Sequence, residues 1–369
     1  MDDTPSAQTS AAQHPTAQNN ASPDPSASDL VQAIIDDFPD HKPGTRPIHT
    51  IGVGVEGYFE ASDVARTYCR AKHFGGQRVR VSVRFSNGSG SPVQHDGWDD
   101  VRGMATRFHL NDETKEEAEG DATDLIAMTL NGFFVPTTKE FIKFTTAARP
   151  QPYKKESPWQ KLLDMLQLKQ PLRDPYPGEE ASADAGTMEY ANAHPFAQLS
   201  VFQSALIGAP VSYARAAYHA VHTFIVTGQD GVRRPVRFAW KPVAGVRNTD
   251  AKTPLRDNYL QGELRDRLKQ WPARFLLMMT IGESGDALND PTIPWPAKRV
   301  RVVMGTLTLT KVAEDQQAAA EHISFNPWRL VDGIEPSDDP ILLARRDAYE
   351  ESRSRRGGTA GCPFKRSYK

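Results

Sequence analysis

The strongest constraint on the fold is a series of short segments in which β-branched and aromatic residues alternate with polar ones. The clearest is VRVSVRFS at 79–86. A side-chain period of two puts one residue set on each face of a pleated strand, so this segment predicts a strand with a buried face. MATRFHL (104–110) and DLIAMTL (124–130) read the same way. VHTFIVT and VRFAWKPV flank GQDG, which predicts a hairpin over 221–243. FLLMMTIG (275–282) and RVRVVMGTLTLTKV (299–312) continue the series. The chain is therefore expected to build a strand-dominated core, a barrel, with long connections.

Helical spacing occurs between and after these strands. It predicts helices over 29–38 with Asp29 as cap, 139–148, 158–169, 212–221 and 264–272. A last helix is predicted over 338–356, capped by Asp338 or Asp339 ahead of Pro340. Residues 170–195 are polar and read as a loop, and no internal repeat is found. The predicted class is α+β, with helices outside the barrel or at one end.

Composition bounds the function. The 369 residues suffice for one large domain or two ordinary ones, and 38% are hydrophobic, enough for a sizeable core. A net charge of −2 gives no electrostatic case for nucleic acid. No apolar run approaches the roughly 20 residues that cross a bilayer. The opening MDDTPSAQTSAAQHPTAQ lacks a positive leader and an apolar stretch, so the expected compartment is the cytoplasm. Cys69 and Cys362 form no disulfide framework or zinc pattern. Residues 1–28 have almost nothing to bury and are expected to be disordered, 29–357 to form the folded domain, and 358–369 a polar basic tail.

Chemistry enters with the last predicted helix. Residues four apart share a helical face, so Arg345 and Tyr349 sit together there. A guanidinium beside a phenol favours the phenolate, the form that ligates ferric iron. Taken alone, the segment is better explained as a solvated, Arg-rich helix with one aromatic foot in the core.

The rest of the chain changes that balance. RPIHTIGVGVEGYFEAS (46–62), VSVRFSNGSGSP (81–92), DDVRGMATRFHL (99–110), DLIAMTLNGFFVPTTKEF (124–141) and HISFNPWRLVDGIEPSDDPILLARRDAY (322–349) occur in an order shared with one family. The chain resembles the haem catalase superfamily, and within it the short catalase-related peroxidases. The resemblance implies a catalase-like antiparallel β-barrel with surrounding helices and no C-terminal flavodoxin-like domain. It also implies a haem b whose iron is held by Tyr349, supported by Arg345.

Other roles follow from the same resemblance. His49 corresponds to the distal His that shuttles the peroxide proton, Ser86 to its supporting serine, and Ile48 to the β-branched residue over the haem. Arg46, Arg84 and Arg356 correspond to propionate partners, and Arg353 to a further polar contact. Phe133, Phe134 and Phe141 correspond to aromatics around the porphyrin. An ungapped match puts Thr129 where large catalases carry a distal Asn. A hydroxyl there orients a second peroxide less well than an amide, which favours peroxidase over catalase chemistry.

The expected activity is reduction of hydrogen peroxide or organic hydroperoxides by a small organic electron donor, with weak catalase activity. No nucleic acid or membrane span is expected, and a homodimer is left open. The rivals are an allene oxide synthase-like hydroperoxide isomerase and a non-catalytic haem carrier. The isomerases tend to carry Thr beside the distal His, where Ile48 stands here. GVGVEG (52–57) lacks dinucleotide-loop spacing and reads as a Gly-rich turn, and the isolated His73, His95, His109, His219 and His322 receive no role.

Overall fold

A computed structural model of the protein describes residues 23–111, 120–152, 155–176, 179–250 and 255–357. The strands of the main sheet are β1 (Gly52–Ala61), β2 (Val79–Asn87), β3 (Arg102–His109), β4 (Ala122–Met128), β5 (Tyr218–His219), β6 (Phe224–Thr227), β7 (Arg233–Pro242), β8 (Ala273–Ile281), β9 (Arg301–Val312) and β10 (Ile334–Pro336). Antiparallel pairing runs β8-β9-β1-β2-β3-β4-β5-β7 and closes through β7 onto β8, giving an eight-stranded barrel. Closure removes the free edges that an open sheet of this size would expose. β6 and then β10 extend the sheet from β7 outside the closed ring.

The alternating segments form strands because one face fills the barrel. Val79, Val81, Val83 and Phe85 are buried along β2, and Phe275, Leu277 and Met279 along β8. Phe59 meets Phe108 edge-to-face at 5.2 Å and Trp240 at 6.3 Å in the same core. Each such side chain contributes about 1.5–3 kcal/mol on full burial.

β1 is a long strand that sequence patterning misses, because GVGVEG reads as a turn. Its glycines answer to close neighbours. A Cβ at Gly52 would lie 2.5 Å from Arg84 Cζ, so the guanidinium can cross the strand only over a glycine. A Cβ at Gly57 would lie 2.1 Å from the Thr308 carbonyl oxygen, where the β1–β9 register shifts between Glu56 and Gly57.

Helices α1 (Ala27–Asp36), α2 (Thr138–Ala147), α3 (Pro158–Leu166), α4 (Asp184–Ala193), α5 (Pro195–Leu206), α6 (Tyr259–Gln270) and α7 (Pro340–Arg355) surround the barrel. α6 lays Leu260, Leu264 and Leu268 against it. A second apolar cluster joins Met188, Tyr190, Ala197, Val201 and Ile341 with Phe134 and Phe144.

Three sequence expectations are corrected. Residues 212–221 hold a short turn at Tyr213–Arg215 and strand β5 rather than a helix, because Tyr213 and Tyr218 are wholly buried in the barrel. The polar stretch 170–195 is a loop only in its first part: Asp184–Ala193 is helical, as α4, and α5 follows it directly. α1 starts at Ala27, where Ser26 is the cap and Asp29 closes the capping box. Of residues 1–28, expected to be disordered, 27 and 28 are in α1, while 1–22 and the tail over 358–369 lie outside the described residues.

Candidate active site

A cavity opens between the barrel wall and the helices, with about 1460 Å³ of empty space, mouth included. β2, β3 and β4 form one wall, and α7 forms the opposite one. α7 is well defined at its ends. Asp339 caps it, its carboxylate accepting from the Ile341 N–H at 2.8 Å and the Leu342 N–H at 3.3 Å, and Pro340 fills the first turn. Gly357, at φ 84°, ends it in the left-handed region. Helical spacing turns Ile341, Arg345, Tyr349, Ser352 and Arg356 to the cavity.

Arg345 donates to the Tyr349 hydroxyl oxygen at 2.5 Å. Its other terminal nitrogen lies 2.8 Å from His222 Nε2, and His222 Nδ1 lies 2.6 Å from Asp339 Oδ2. A carboxylate accepts and a guanidinium donates, so His222 is neutral with its proton on Nδ1. Burial, helped by the Arg345 charge, holds this imidazole below its ordinary pKa against the pull of Asp339. The chain Asp339–His222–Arg345–Tyr349 therefore fixes a positive charge on the phenol oxygen. Sequence reading identified Asp339 only as a cap and did not identify His222. The two are 117 positions apart, and no local pattern joins them.

On the opposite wall, His49 has φ 58°, an uncommon left-handed conformation for a residue with a side chain. Its backbone is held by Arg84, which donates to the His49 carbonyl at 2.9 Å, and by its own N–H to Gly88 at 3.3 Å. Nδ1 lies 2.7 Å from the Asn87 carbonyl oxygen, with Ser86 Oγ at 3.1 Å. A carbonyl only accepts, so Nδ1 carries the proton and Nε2 keeps its lone pair. Burial, together with the charges of Arg84, Arg345 and Arg46, brings the His49 pKa down to about 4. Gly103 permits this packing: a Cβ there would meet Ser86 Oγ at 2.7 Å and His49 Nδ1 at 3.0 Å.

A third group lies at the cavity edge. Arg84 Nη2 is 3.2 Å from Glu321 Oε1, Arg46 Nε is 3.7 Å from Glu321 Oε2, and Arg356 donates to the Glu321 carbonyl at 2.8 Å. Nε of Arg46 and of Arg84 is buried without a hydrogen-bond partner. Burial and the neighbouring Arg84 and Arg356 charges push Arg46 well below the usual guanidinium range. Three guanidiniums face one carboxylate, an arrangement suited to a further anion.

Of the residues predicted from sequence, Arg46, Ile48, His49, Arg84 and Ser86 line this cavity, as do Phe133, Phe141, Arg345, Tyr349 and Arg356. Three others do not. The Thr129 hydroxyl accepts from the Arg102 N–H at 3.0 Å, and its side chain lines a neighbouring cavity. Met128, one residue earlier, faces the His49 cavity instead. On a strand, a one-residue offset changes the face. Phe134 stacks on Phe144 at 4.9 Å in the helical layer. Arg353 reaches towards Glu350 at 3.9 Å, away from the cavity. α1 also supplies Leu30, Val31 and Ile34 to the lining, which sequence reading did not foresee.

The catalase family model matches residues 10–172 and 173–361. The chain belongs to the catalase family. A catalase-related peroxidase of Mycolicibacterium paratuberculosis is 33% identical over 322 residues, which cover 86% of this chain and 90% of that protein. A catalase-related peroxidase of Synechococcus elongatus is 31% identical, with 85% and 84% covered. Catalase-2 of Bacillus subtilis is 27% identical, and the match covers 83% of this chain but 43% of that longer protein. The α+β barrel with its outer helices is the catalase-like fold.

Proposed function

We propose that this protein is a haem-dependent peroxidase that reduces hydrogen peroxide or organic hydroperoxides with electrons from a small organic donor. Membership of the catalase family carries the coarser statement, a peroxide-reducing haem oxidoreductase.

The residues that line the cavity fit a haem. Arg46, Arg84 and Arg356 offer more positive charge than Glu321 neutralises, and the two partner-free Nε–H groups await acceptors. Haem propionates supply both. Tyr349, with Arg345 on its oxygen, is the axial ligand in this reading, and Phe133 and Phe141 flank the ring. Neither Cys69 nor Cys362 stands in the Cys-x-x-Cys-His run that attaches a haem through thioethers, which supports haem b. Cys69 is a free buried thiol, in keeping with the expected reducing compartment. Among the described residues, no helix is long and apolar enough to cross a membrane.

When bound, the haem supplies the redox chemistry that accepts and passes on electrons. The protein groups handle the proton. His49 Nε2 takes it from the inner peroxide oxygen and returns it to the leaving oxygen, so that water or an alcohol departs. Ser86 and the Asn87 carbonyl keep the ring oriented for both transfers.

The preference for a peroxidase rests on one observation, the wall beside His49. Met128, Ile48 and Phe133 line it, and none offers a hydrogen-bond donor. A first peroxide has His49. A second, which dismutation requires, meets the Met128 thioether where an amide would orient it. Purified, haem-loaded protein mixed with peroxide and a phenolic donor is therefore expected to oxidise the donor faster than it releases oxygen. Faster oxygen release would overturn the reading. An epoxide or ketol from a fatty-acid hydroperoxide would make the protein an isomerase, and no donor oxidation at all would make it a carrier.

A further inference from the structure

A second cavity adjoins the first, with about 870 Å³ of empty space, mouth included. Its walls are apolar, formed by Leu130, Leu199, Phe202 and Ile207, and two amides, Asn131 and Gln203, face it. His219 lines both cavities. Strand pairing puts it opposite Met128, the residue beside the peroxide-handling space. Its imidazole makes no hydrogen bond to any described residue. Burial, together with the Arg301 charge, lowers its pKa, so it is neutral with a free lone pair.

We propose that this outer cavity binds the aromatic ring of a phenolic reductant and that His219 accepts its proton; this rests on the peroxidase reading above. Hydrogen peroxide needs no such walls, since it has no apolar surface to bury. An aromatic donor does, and burying a ring against Leu and Phe side chains is worth more than its hydrogen bonds alone. The amides and the imidazole then hold the hydroxyl. His219 also decides between reductant and hydroperoxide. An occupant of the outer cavity meets the inner one across this imidazole. Electrons and protons cross such a wall, whereas a hydroperoxide must bring its O–O bond into the inner cavity.

The step balances simply. The phenol O–H bond breaks, its proton goes to the free nitrogen of His219, and its electron goes to the haem that peroxide has oxidised. A phenoxyl radical leaves, His219 passes its proton on to the remaining peroxide oxygen, and a second phenol supplies the other electron and the second proton, so that this oxygen departs as water.

The test follows p-cresol binding to the haem-loaded protein by equilibrium dialysis, together with its peroxide-driven oxidation. Ferrocyanide, which has neither ring nor proton, serves as the comparison donor. Leu199 is 41% exposed, so Leu199→Trp fills the cavity without crowding the core. It is expected to weaken p-cresol binding about tenfold and raise its KM in proportion, with ferrocyanide oxidation unchanged. His219→Gln keeps an oxygen that accepts from the hydroxyl but is no base, so p-cresol is expected to bind within about threefold of wild type while its kcat falls by about a hundredfold, the scale of a lost general base. Wild-type p-cresol affinity in Leu199→Trp would overturn the binding site. An unchanged kcat in His219→Gln would overturn the role of the imidazole. A higher KM for hydrogen peroxide in Leu199→Trp would make the cavity a peroxide corridor and overturn the donor site. A wild-type protein that binds p-cresol yet oxidises neither donor would overturn the peroxidase reading while supporting the site.

Discussion

The His49 imidazole has to stay neutral in a cavity where Arg84, Arg345 and Arg46 all raise the potential around it. Its pKa of about 4 in the folded chain lies below the usual 6.5, so the unfolded chain takes up the proton first. The stabilisation this represents is fully present above pH 6.5 and is lost as pH falls towards 4. Denaturant titrations at pH 7.5 and 5 are expected to show wild type losing at most about 2 kcal/mol more than His49→Gln. The same shift sets the chemistry, because only neutral His49 accepts a peroxide proton. The rate of peroxide consumption should hold steady from pH 8 to about 5 and fall only near 4. On the facing side of the same wall, Met128 offers a weakly accepting thioether and no donor. Met128→Asn is expected to raise oxygen release from hydrogen peroxide about tenfold relative to donor oxidation, by giving a second peroxide an amide to bind. An unchanged ratio, read with an oxygen electrode, would remove Met128 from the explanation.

α7 shows how one residue can serve an element and a site together. Asp339 uses Oδ1 to cap the helix and Oδ2 to hold His222. Asp339→Ala removes both and should cost about 1–3 kcal/mol in denaturant unfolding. Asp339→Asn keeps a carbonyl oxygen for the cap but turns an amide N–H towards His222. His222 must then carry its proton on Nε2, facing the Arg345 guanidinium. The expected result is near-wild-type stability with an altered ferric haem spectrum, because the Arg345–Tyr349 contact is disturbed. A wild-type spectrum would confine Asp339 to capping. The same helix shows what sequence could reveal. Arg345 and Tyr349 are four apart, a spacing any helical reading pairs, whereas His222 and Asp339 meet only after the barrel closes. The strands with bulky alternation were legible because their side chains both pack the core and form the pattern. β1 was not, since the glycines that let Arg84 and Thr308 approach it erase that pattern. Thr129 and Met128 were confused for a related reason: family matching aligns residues, while strand parity alone decides which one faces the cavity.

In the whole molecule, the cavity lies at the seam between two kinds of structure. The barrel closes on its own strand pairing, with a core of its own around Phe59, Phe108 and Trp240. The helical side is held by a smaller cluster and by contacts that cross the seam. α1 lies against α7, where Arg355 reaches Ser28 and Gln32, and α1 also gives Leu30, Val31 and Ile34 to the cavity lining. Haem bound there would touch both sides, yet only the helical side depends on it for burial. A ligand at a thousandfold excess over its Kd stabilises the folded state by about 4 kcal/mol, and that gain appears wherever local opening would release it. Haem removal is therefore expected to raise amide hydrogen exchange in α1, α2 and α7 while β1, β2, β8 and β9 keep their protection. Far-ultraviolet circular dichroism should lose helical signal before strand signal. Equal loss of protection in barrel and helices would mean that the haem holds the entire fold together, and the seam would then have no independent meaning.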